Sequence, residues 1–269
     1  MTTGYLFDNA AEREASQRMT ALSTLHDAAT FLCLSERGIT AGWRCLEVGG
    51  GNGSVARWMA ERVALSGHVL VTVIDPRFIA KGMEGAPANL ELRRHDIVVD
   101  PLPGNAFDLT RLVLLWLPAR LKVLARPIDA LRPGGWLVTE DYDALLVPPT
   151  MVTAKLAAAE SFARMTTALR TWMTDRQADL VWARQLYRNF RDGGLLEVGM
   201  NGAIDVRQGG SAGAAVQKAN FSQVRMAAVE AGLITEDEVA EVMRNLDDPT
   251  FDYVAPTVMT AWGRRPVSP

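Results

Sequence analysis

The stretch Cys45-Leu46-Glu47-Val48-Gly49-Gly50-Gly51-Asn52-Gly53-Ser54 passes from an apolar run, through four glycines, into a helical pattern. Arg44–Val48 reads as a short buried strand. Ser54–Val63 reads as a helix, with Val55, Trp58, Met59 and Val63 at spacings of three and four. Glycines between such a strand and helix let the main chain turn tightly and approach a ligand, and the helix beyond offers unpaired N–H groups. Open α/β sheets bind their ligands at this place, the carboxyl end of a parallel strand.

Outward from this turn the same alternation repeats. Val69–Ile74 is a second β-branched run, Leu90–Arg94 a third strand, and Phe107 to Leu117 contains a fourth. A helix follows Pro118 through Leu131, and Pro133-Gly134-Gly135 turns into a fifth strand at Trp136–Glu140. Upstream, Asp8 to Leu34 has helical spacing at Met19, Leu22, Leu25, Ala29 and Leu32. Beyond Asp143 the pattern changes. Helices are expected around Ala154–Met165, Ala168–Leu186, Ala214–Ala231 and Glu236–Leu246, the last with a Thr235/Glu238 capping box. Glu197–Val206 and Tyr253–Trp262 are candidate late strands. The expected fold is α/β, a Rossmann-like, mostly parallel seven-stranded sheet with helices on both faces. Residues 43–143 form its ligand-binding core. Residues 1–42 are expected as an N-terminal helical cap, and 144–269 as further cap segments and the last two strands of the same domain.

The 269 residues and 29.3 kDa fit one to two domains. A net charge of −3 and a pI near 5.7 exclude a whole-molecule basic field of the kind that gathers nucleic acid. The basic segment Arg120–Arg126 has apolar residues at helical spacing and reads as an ordinary solvated helix face. Cys33 and Cys45 lie in apolar stretches and are expected as buried free thiols. The polar N-terminus lacks a signal-peptide pattern, and nothing approaches the ~18 apolar residues of a spanning helix, so a soluble cytoplasmic protein is expected.

Two ligand classes fit the glycines. Gly51-Asn52-Gly53-Ser54-Val55-Ala56 satisfies the dinucleotide fingerprint G-x-G-x-x-A, and Asp75 lies 22 residues beyond Gly53, near the ~20 expected of a ribose-binding acid. Glu47 discriminates. A fixed carboxylate beside the turn repels a pyrophosphate and favours a ligand bearing ammonium and sulfonium groups. Here the chain resembles the class I methyltransferases that use S-adenosylmethionine. Their first motif, E-x-G-x-G-x-G, stands as Glu47, Gly49, Gly51 and Gly53, with Gly50 inside it. Val73-Ile74-Asp75-Pro76 resembles the second motif, and the resemblance implies that Asp75 holds ribose hydroxyls. Arg94-His95-Asp96-Ile97 resembles the third, implying that Asp96 and the Ile97 main chain meet adenine. Ala106-Phe107-Asp108-Leu109 resembles the fourth strand, and Leu131-Arg132-Pro133-Gly134-Gly135-Trp136-Leu137 the turn into the fifth. The resemblance covers about Trp43 to Asp143 well and extends more loosely to the end. One departure stands out: the fourth strand meets Arg111 directly after Thr110, two residues earlier than in relatives. In those relatives the carbonyls at this strand end take the ligand's amino group, a contact the shortening disturbs; Thr110 and Arg111 are the residues that stand at it here.

The function so implied is methyl transfer from S-adenosylmethionine to an oxygen or nitrogen of a small-molecule acceptor, releasing S-adenosylhomocysteine. No catalytic base declares itself. His26, Tyr142 and Asp143 are candidates; His68 and His95 read as structural, and no metal site is placed by spacing. Asp141-Tyr142-Asp143 is expected in solvated loop or facing the acceptor. A nicotinamide oxidoreductase is the alternative, as is a protein that binds the cofactor without turning it over.

Overall fold

The computed structural model describes residues 12–148 and 156–267. The outermost parts of two expected helices, residues 8–11 and 154–155, lie outside them. Seven strands form one sheet: β1 (Arg44–Val48), β2 (His68–Val73), β3 (Leu90–Arg94), β4 (Phe107–Leu112), β5 (Leu131–Asp143), β6 (Leu196–Ala203) and β9 (Thr257–Arg264). Their order is β3-β2-β1-β4-β5-β9-β6, with β1 paired in parallel to both β2 and β4. The β2–β3 and β4–β5 pairs are parallel as well. Because β1 feeds β2 on one side and has β4 on the other, the strand order reverses at the end of β1. That is the crevice where such sheets take ligands.

The chain falls into two compact units. One comprises His26–Asp141, Trp182–Gly202 and the described residues from Met259, and holds the seven-stranded sheet. Its core packs α2 (Ser54–Val63) and the end of α1 (Glu12–Glu36) on one sheet face, and α3 (Arg120–Ala130) links β4 to β5. Val55, Ala56, Met59, Ala60 and Val63 form the buried stripe of α2, and Cys33 and Leu34 come from α1. Each fully buried Met or Val in that stripe contributes about 1.5–3 kcal/mol of transfer free energy. Phe31 stacks on Trp58 with ring centroids 4.7 Å apart. Both cysteines are buried free thiols, and burial pushes them up to about 11 (Cys33) and about 12 (Cys45).

The other unit comprises the described residues up to Leu25, Tyr142–Val181 and Ala203–Val258. It contains α4 (Leu156–Asp175), α6 (Ala212–Glu230), α7 (Glu236–Asn245) and a two-stranded antiparallel ribbon of β7 (Val206–Gln208) and β8 (Asp252–Val254). Phe162 gathers Phe221, Phe251 and Tyr253 at centroid distances of 5.1–5.7 Å. The Thr235/Glu238 capping box forms as expected.

Three local expectations differ. The candidate strand Glu197–Val206 is two strands, β6 and β7, and Tyr253–Trp262 is likewise β8 and β9. Each pair is parted by a short break, Ile204-Asp205 and Ala255-Pro256; Pro256 has no N–H for a ladder, while the Ala255 N–H donates to the Asp205 carbonyl at 2.9 Å. The helical stretch expected to run to Leu186 ends at Asp175. Gln177 adopts φ +66°, the Asp179 carboxylate accepts the Val181 N–H, and α5 (Trp182–Asp192) starts anew. Among the described residues no helix is long and apolar enough to cross a membrane.

Candidate functional site

The β1–α2 turn is held by the main chain of β2. The Gly49 N–H donates to the Thr72 carbonyl at 2.8 Å, and the Gly53 N–H to the Gly50 carbonyl at 2.7 Å. Gly53, the N-cap of α2, has φ +87°, a conformation that penalises any side chain. Gly50 is needed for space: a Cβ there would lie 2.2 Å from Val71 Cγ2. Arg57, on α2, donates to the carbonyls of Gly82 and Glu84, pinning the 80–83 turn against the glycines.

Glu47 ends almost fully buried on β1, and Arg111 lies beside it in register on β4. Arg111 Nη1 donates to Glu47 Oε1 at 3.2 Å, while Nη2 and Nε donate to Glu140 Oε2 at 2.9 and 3.1 Å. Glu140, near the end of β5, also accepts the Thr30 hydroxyl at 2.9 Å. The next residue, Asp141, is buried, with Oδ1 accepting the Leu114 and Leu115 N–H groups at 2.9 and 2.7 Å. Asp27 on α1 is a fourth carboxylate, hydrogen-bonded to the Ser54 side chain. Asp27, Glu47 and Glu140 thus gather about one guanidinium, while Asp141, the next residue along β5, points to the other sheet face. The Ala56 N–H also acts on the Glu47 carboxylate, and Asp141 Oδ2 is buried without a hydrogen-bond partner among the described residues.

Charge crowding and burial shift these groups together. Burial pushes the Glu47 carboxyl up to about 7 against the opposing pull of Arg111, and the Asp27 and Glu140 charges push the same way. Burial likewise raises Asp141 to about 6, opposed by its two backbone donors. Asp27 is raised, by burial first. Arg111 is held above its ordinary value: burial pulls it down, but Glu140 and Glu47 more than offset that.

Asp75 follows β2 as expected, and caps the short turn Pro76–Phe78 by accepting the Arg77 N–H at 3.0 Å. The Arg77 guanidinium also grips both carboxylate oxygens, 3.0 and 2.9 Å from Nε, which keeps Asp75 below its ordinary range. Asp96 follows β3 and accepts the Val98 N–H at 2.9 Å, with Ile97 buried beside it. Arg126 ties the Ile97 and Asp100 carbonyls together.

The structure therefore brings Glu47, Arg111 and the glycines to one place and sets Asp75 and Asp96 at the neighbouring strand ends. Thr110 is different: it pairs with Leu46 mid-strand, is fully buried, and lies on the opposite sheet face from Arg111. Arg111 presents a guanidinium to Glu47, so the discriminating charge is the surplus of the acid group rather than Glu47 alone. Asp141 is no loop acid but a buried strand residue holding the segment after β4. His26 belongs to the sheet-bearing unit, whereas Tyr142 and Asp143 belong to the other. There the buried Asp143 accepts the Leu145 N–H at 3.0 Å. Asp27, Thr30, Glu140 and Arg77 went unnoticed in the sequence. Only Glu140, preceding Asp141 at a strand end, carried any positional signal. Among the described residues no cluster of His, Cys, Asp and Glu is arranged to hold a metal.

Residues 45–135 match the family model described as a methyltransferase domain. That segment, about a third of the chain, is thus similar to a methyltransferase domain. Methyltransferase str2 of Strobilurus tenacellus is 36% identical over 104 residues, which cover 37% of this chain and 36% of that protein. The ubiquinone/menaquinone biosynthesis C-methyltransferase UbiE of Pseudomonas putida is 26% identical over 148 residues, 52% of this chain and 57% of its own length. The chain thus spans about a third to just over half of these relatives. In three dimensions, phosphoethanolamine N-methyltransferase 2 of Haemonchus contortus, solved with phosphomonomethylethanolamine and S-adenosylhomocysteine, superposes with a TM-score of 0.51. At 14% identity, over 84% of this chain and 49% of that one, the likeness is one of fold. The matched segment covers the glycine turn, Asp75, Asp96 and Arg111, and stops short of Glu140 and Asp141.

Proposed function

We propose that the chain transfers a methyl group from S-adenosylmethionine to a small-molecule acceptor and releases S-adenosylhomocysteine. The observation that carries this reading is the surplus of acid beside the glycine turn, where Asp27, Glu47 and Glu140 gather about a single arginine, Arg111. A diphosphate brought there meets repulsion in a low-dielectric setting; a cationic ligand is attracted. Glu47 Oε2, beside the Gly50 position, fits the cationic end of S-adenosylmethionine, and the side-chain-free turn fits close approach of its body.

When bound, S-adenosylmethionine supplies a methyl group on a sulfonium that leaves as a neutral thioether and needs no proton. The residues of the chain then bind, orient and exclude water. Glu47 would meet the cationic end of the ligand as it ionises, and Arg111 positions Glu47 and Glu140. Asp75 takes the ribose hydroxyls in place of Arg77, and Asp96 with the Ile97 main chain brackets adenine. No general base is assigned, since alignment alone is worth up to ~7–11 kcal/mol for an acceptor that is already nucleophilic. The acceptor atom is oxygen or nitrogen; the UbiE relative, named a C-methyltransferase, adds carbon to the panel to be tried.

Calorimetric titration with S-adenosylmethionine, S-adenosylhomocysteine and NAD tests the reading. Tight binding of the first two and none of the third is expected. Asp75→Ala removes hydrogen bonds to a charged group, worth about 1.5–3 kcal/mol, and weakens binding at least tenfold. Arg77→Ala removes an exposed ion pair and changes affinity by about fivefold at most. Undiminished binding by Asp75→Ala, or preference for NAD, overturns the assignment. Release of S-adenosylhomocysteine with phenols, amines and quinols then separates an enzyme from a mere binder.

A further inference from the structure

In the unit that contains the β7–β8 ribbon, strand alternation is inverted. Val206 faces out, two-thirds exposed, while the Arg207 side chain faces in with 5% of its surface exposed. A strand with one buried face ordinarily does the reverse. The buried guanidinium is poorly matched. No carboxylate or carbonyl among the described residues accepts from its Nε or Nη2, and the carboxylate paired with it, half-exposed Asp205, lies 4.0 Å from Nη2. Directly across the ribbon stands Tyr253, buried, its hydroxyl oxygen beside the Arg207 guanidinium and its proton free to donate. Under the arginine runs the first turn of α6. A Cβ on Gly213 would come within 2.4 Å of Arg207 Cδ and 3.1 Å of Nε, so the guanidinium lies against that helix N-terminus.

Each feature asks for negative charge. A buried cation without a close counter-ion is costly, and the positive end of a 19-residue helix raises the cost further. Nε and Nη2 form one edge of the guanidinium fork, the edge that binds carboxylate or phosphate with two parallel hydrogen bonds. Burial pushes the Tyr253 hydroxyl up to about 12, so it stays protonated and able to donate at neutral pH.

We propose that Arg207, Tyr253 and the first turn of α6 form a binding site for an oxyanion, the carboxylate or phosphate group of a small-molecule ligand. The site lies wholly within one unit and uses no residue of the glycine turn, so it stands or falls apart from methyl transfer.

The test uses the full chain at constant ionic strength, titrated with inorganic phosphate and, separately, sodium acetate, by calorimetry and thermal melting against a sodium chloride control. One saturable site and a rise in Tm with at least one oxyanion, but not chloride, are expected. Response to phosphate alone assigns a phosphoryl ligand, to acetate alone a carboxylate, and to both an oxyanion of either kind. Arg207→Gln is expected to weaken binding at least tenfold and Tyr253→Phe three- to tenfold. Arg207→Met, relieved of an unpaired charge, melts above the wild type in chloride and loses the oxyanion response. Neither anion binding, a response that survives Arg207→Gln, or Arg207→Met melting below the wild type in every buffer overturns the proposal. Should the Arg207 variants fail to fold, a Tyr253→Phe protein with undiminished oxyanion response overturns it as well.

Discussion

At the scale of single residues, Glu47 is the most consequential side chain in the sheet-bearing unit. Its carboxyl titrates near 7 in the folded chain against an ordinary 4.5, chiefly because burial disfavours its charge. Between those two values the native state keeps a proton that the unfolded state has released, so stability falls as pH rises from about 4.5 to about 7. At 1.36 kcal/mol per pH unit the loss has a ceiling of roughly 3 kcal/mol. Glu47→Gln should therefore match the wild type near pH 4 and exceed it at pH 8. Urea unfolding at both values checks this; part of the slope remains in the variant, because Asp141 is raised in the same direction. Affinity for a cationic cofactor runs the opposite way, strengthening toward and past pH 7 as Glu47 ionises. Arg111→Met is the complementary change. It leaves Glu47 and Glu140 buried without their counter-ion and should cost about 3–5 kcal/mol, read from the same unfolding curves. A loss under 1 kcal/mol would show that the carboxylates simply take up protons.

Among the elements, the glycine turn couples packing to function most directly. Gly50→Ala drives a methyl into Val71 Cγ2 and Ile79 Cδ1, and such overpacking costs about 1–3 kcal/mol. Since the turn moves to relieve the clash, cofactor affinity should drop along with stability, a pairing that calorimetry and urea unfolding detect together. By contrast Thr235→Ala, which dismantles the capping box of α7, should cost about 1 kcal/mol and leave cofactor affinity unchanged. These two elements were also the most legible in the sequence. An apolar run followed by glycines, and a Thr with Glu three residues on, are local signals with local causes. Legibility ended where pairing partners are far apart in the chain. Arg111 looked like a premature end to β4, because nothing local says that Glu47, 64 residues earlier, waits beside it in register. Glu140 and Thr30 are separated by 110 residues. Three-residue strands such as β7 and β8 are too short for a period to declare itself, so each was merged with its longer neighbour, and the inward arginine of β7 vanished inside that merger.

For the molecule as a whole, the decisive fact is how the units share their chain. Helix α1 and strands β5, β6 and β9 each begin in one compact unit and end in the other. An element that frays at one end loses hydrogen bonds along its length, so shared elements oppose independent melting of either unit. The expectation is one cooperative urea transition, with tryptophan fluorescence and far-ultraviolet circular dichroism coincident. A ligand held by the sheet-bearing unit then stabilises everything. At a hundred times its Kd, S-adenosylhomocysteine should add about 2.7 kcal/mol to the single transition and move its midpoint with unchanged slope. The oxyanion of the Arg207 site, bound in the other unit, should move that same midpoint, and the two increments should add, because the sites share no residue. Two resolved transitions, one answering only to S-adenosylhomocysteine and the other only to phosphate or acetate, would mean that the shared elements do not transmit stability and that each unit unfolds on its own.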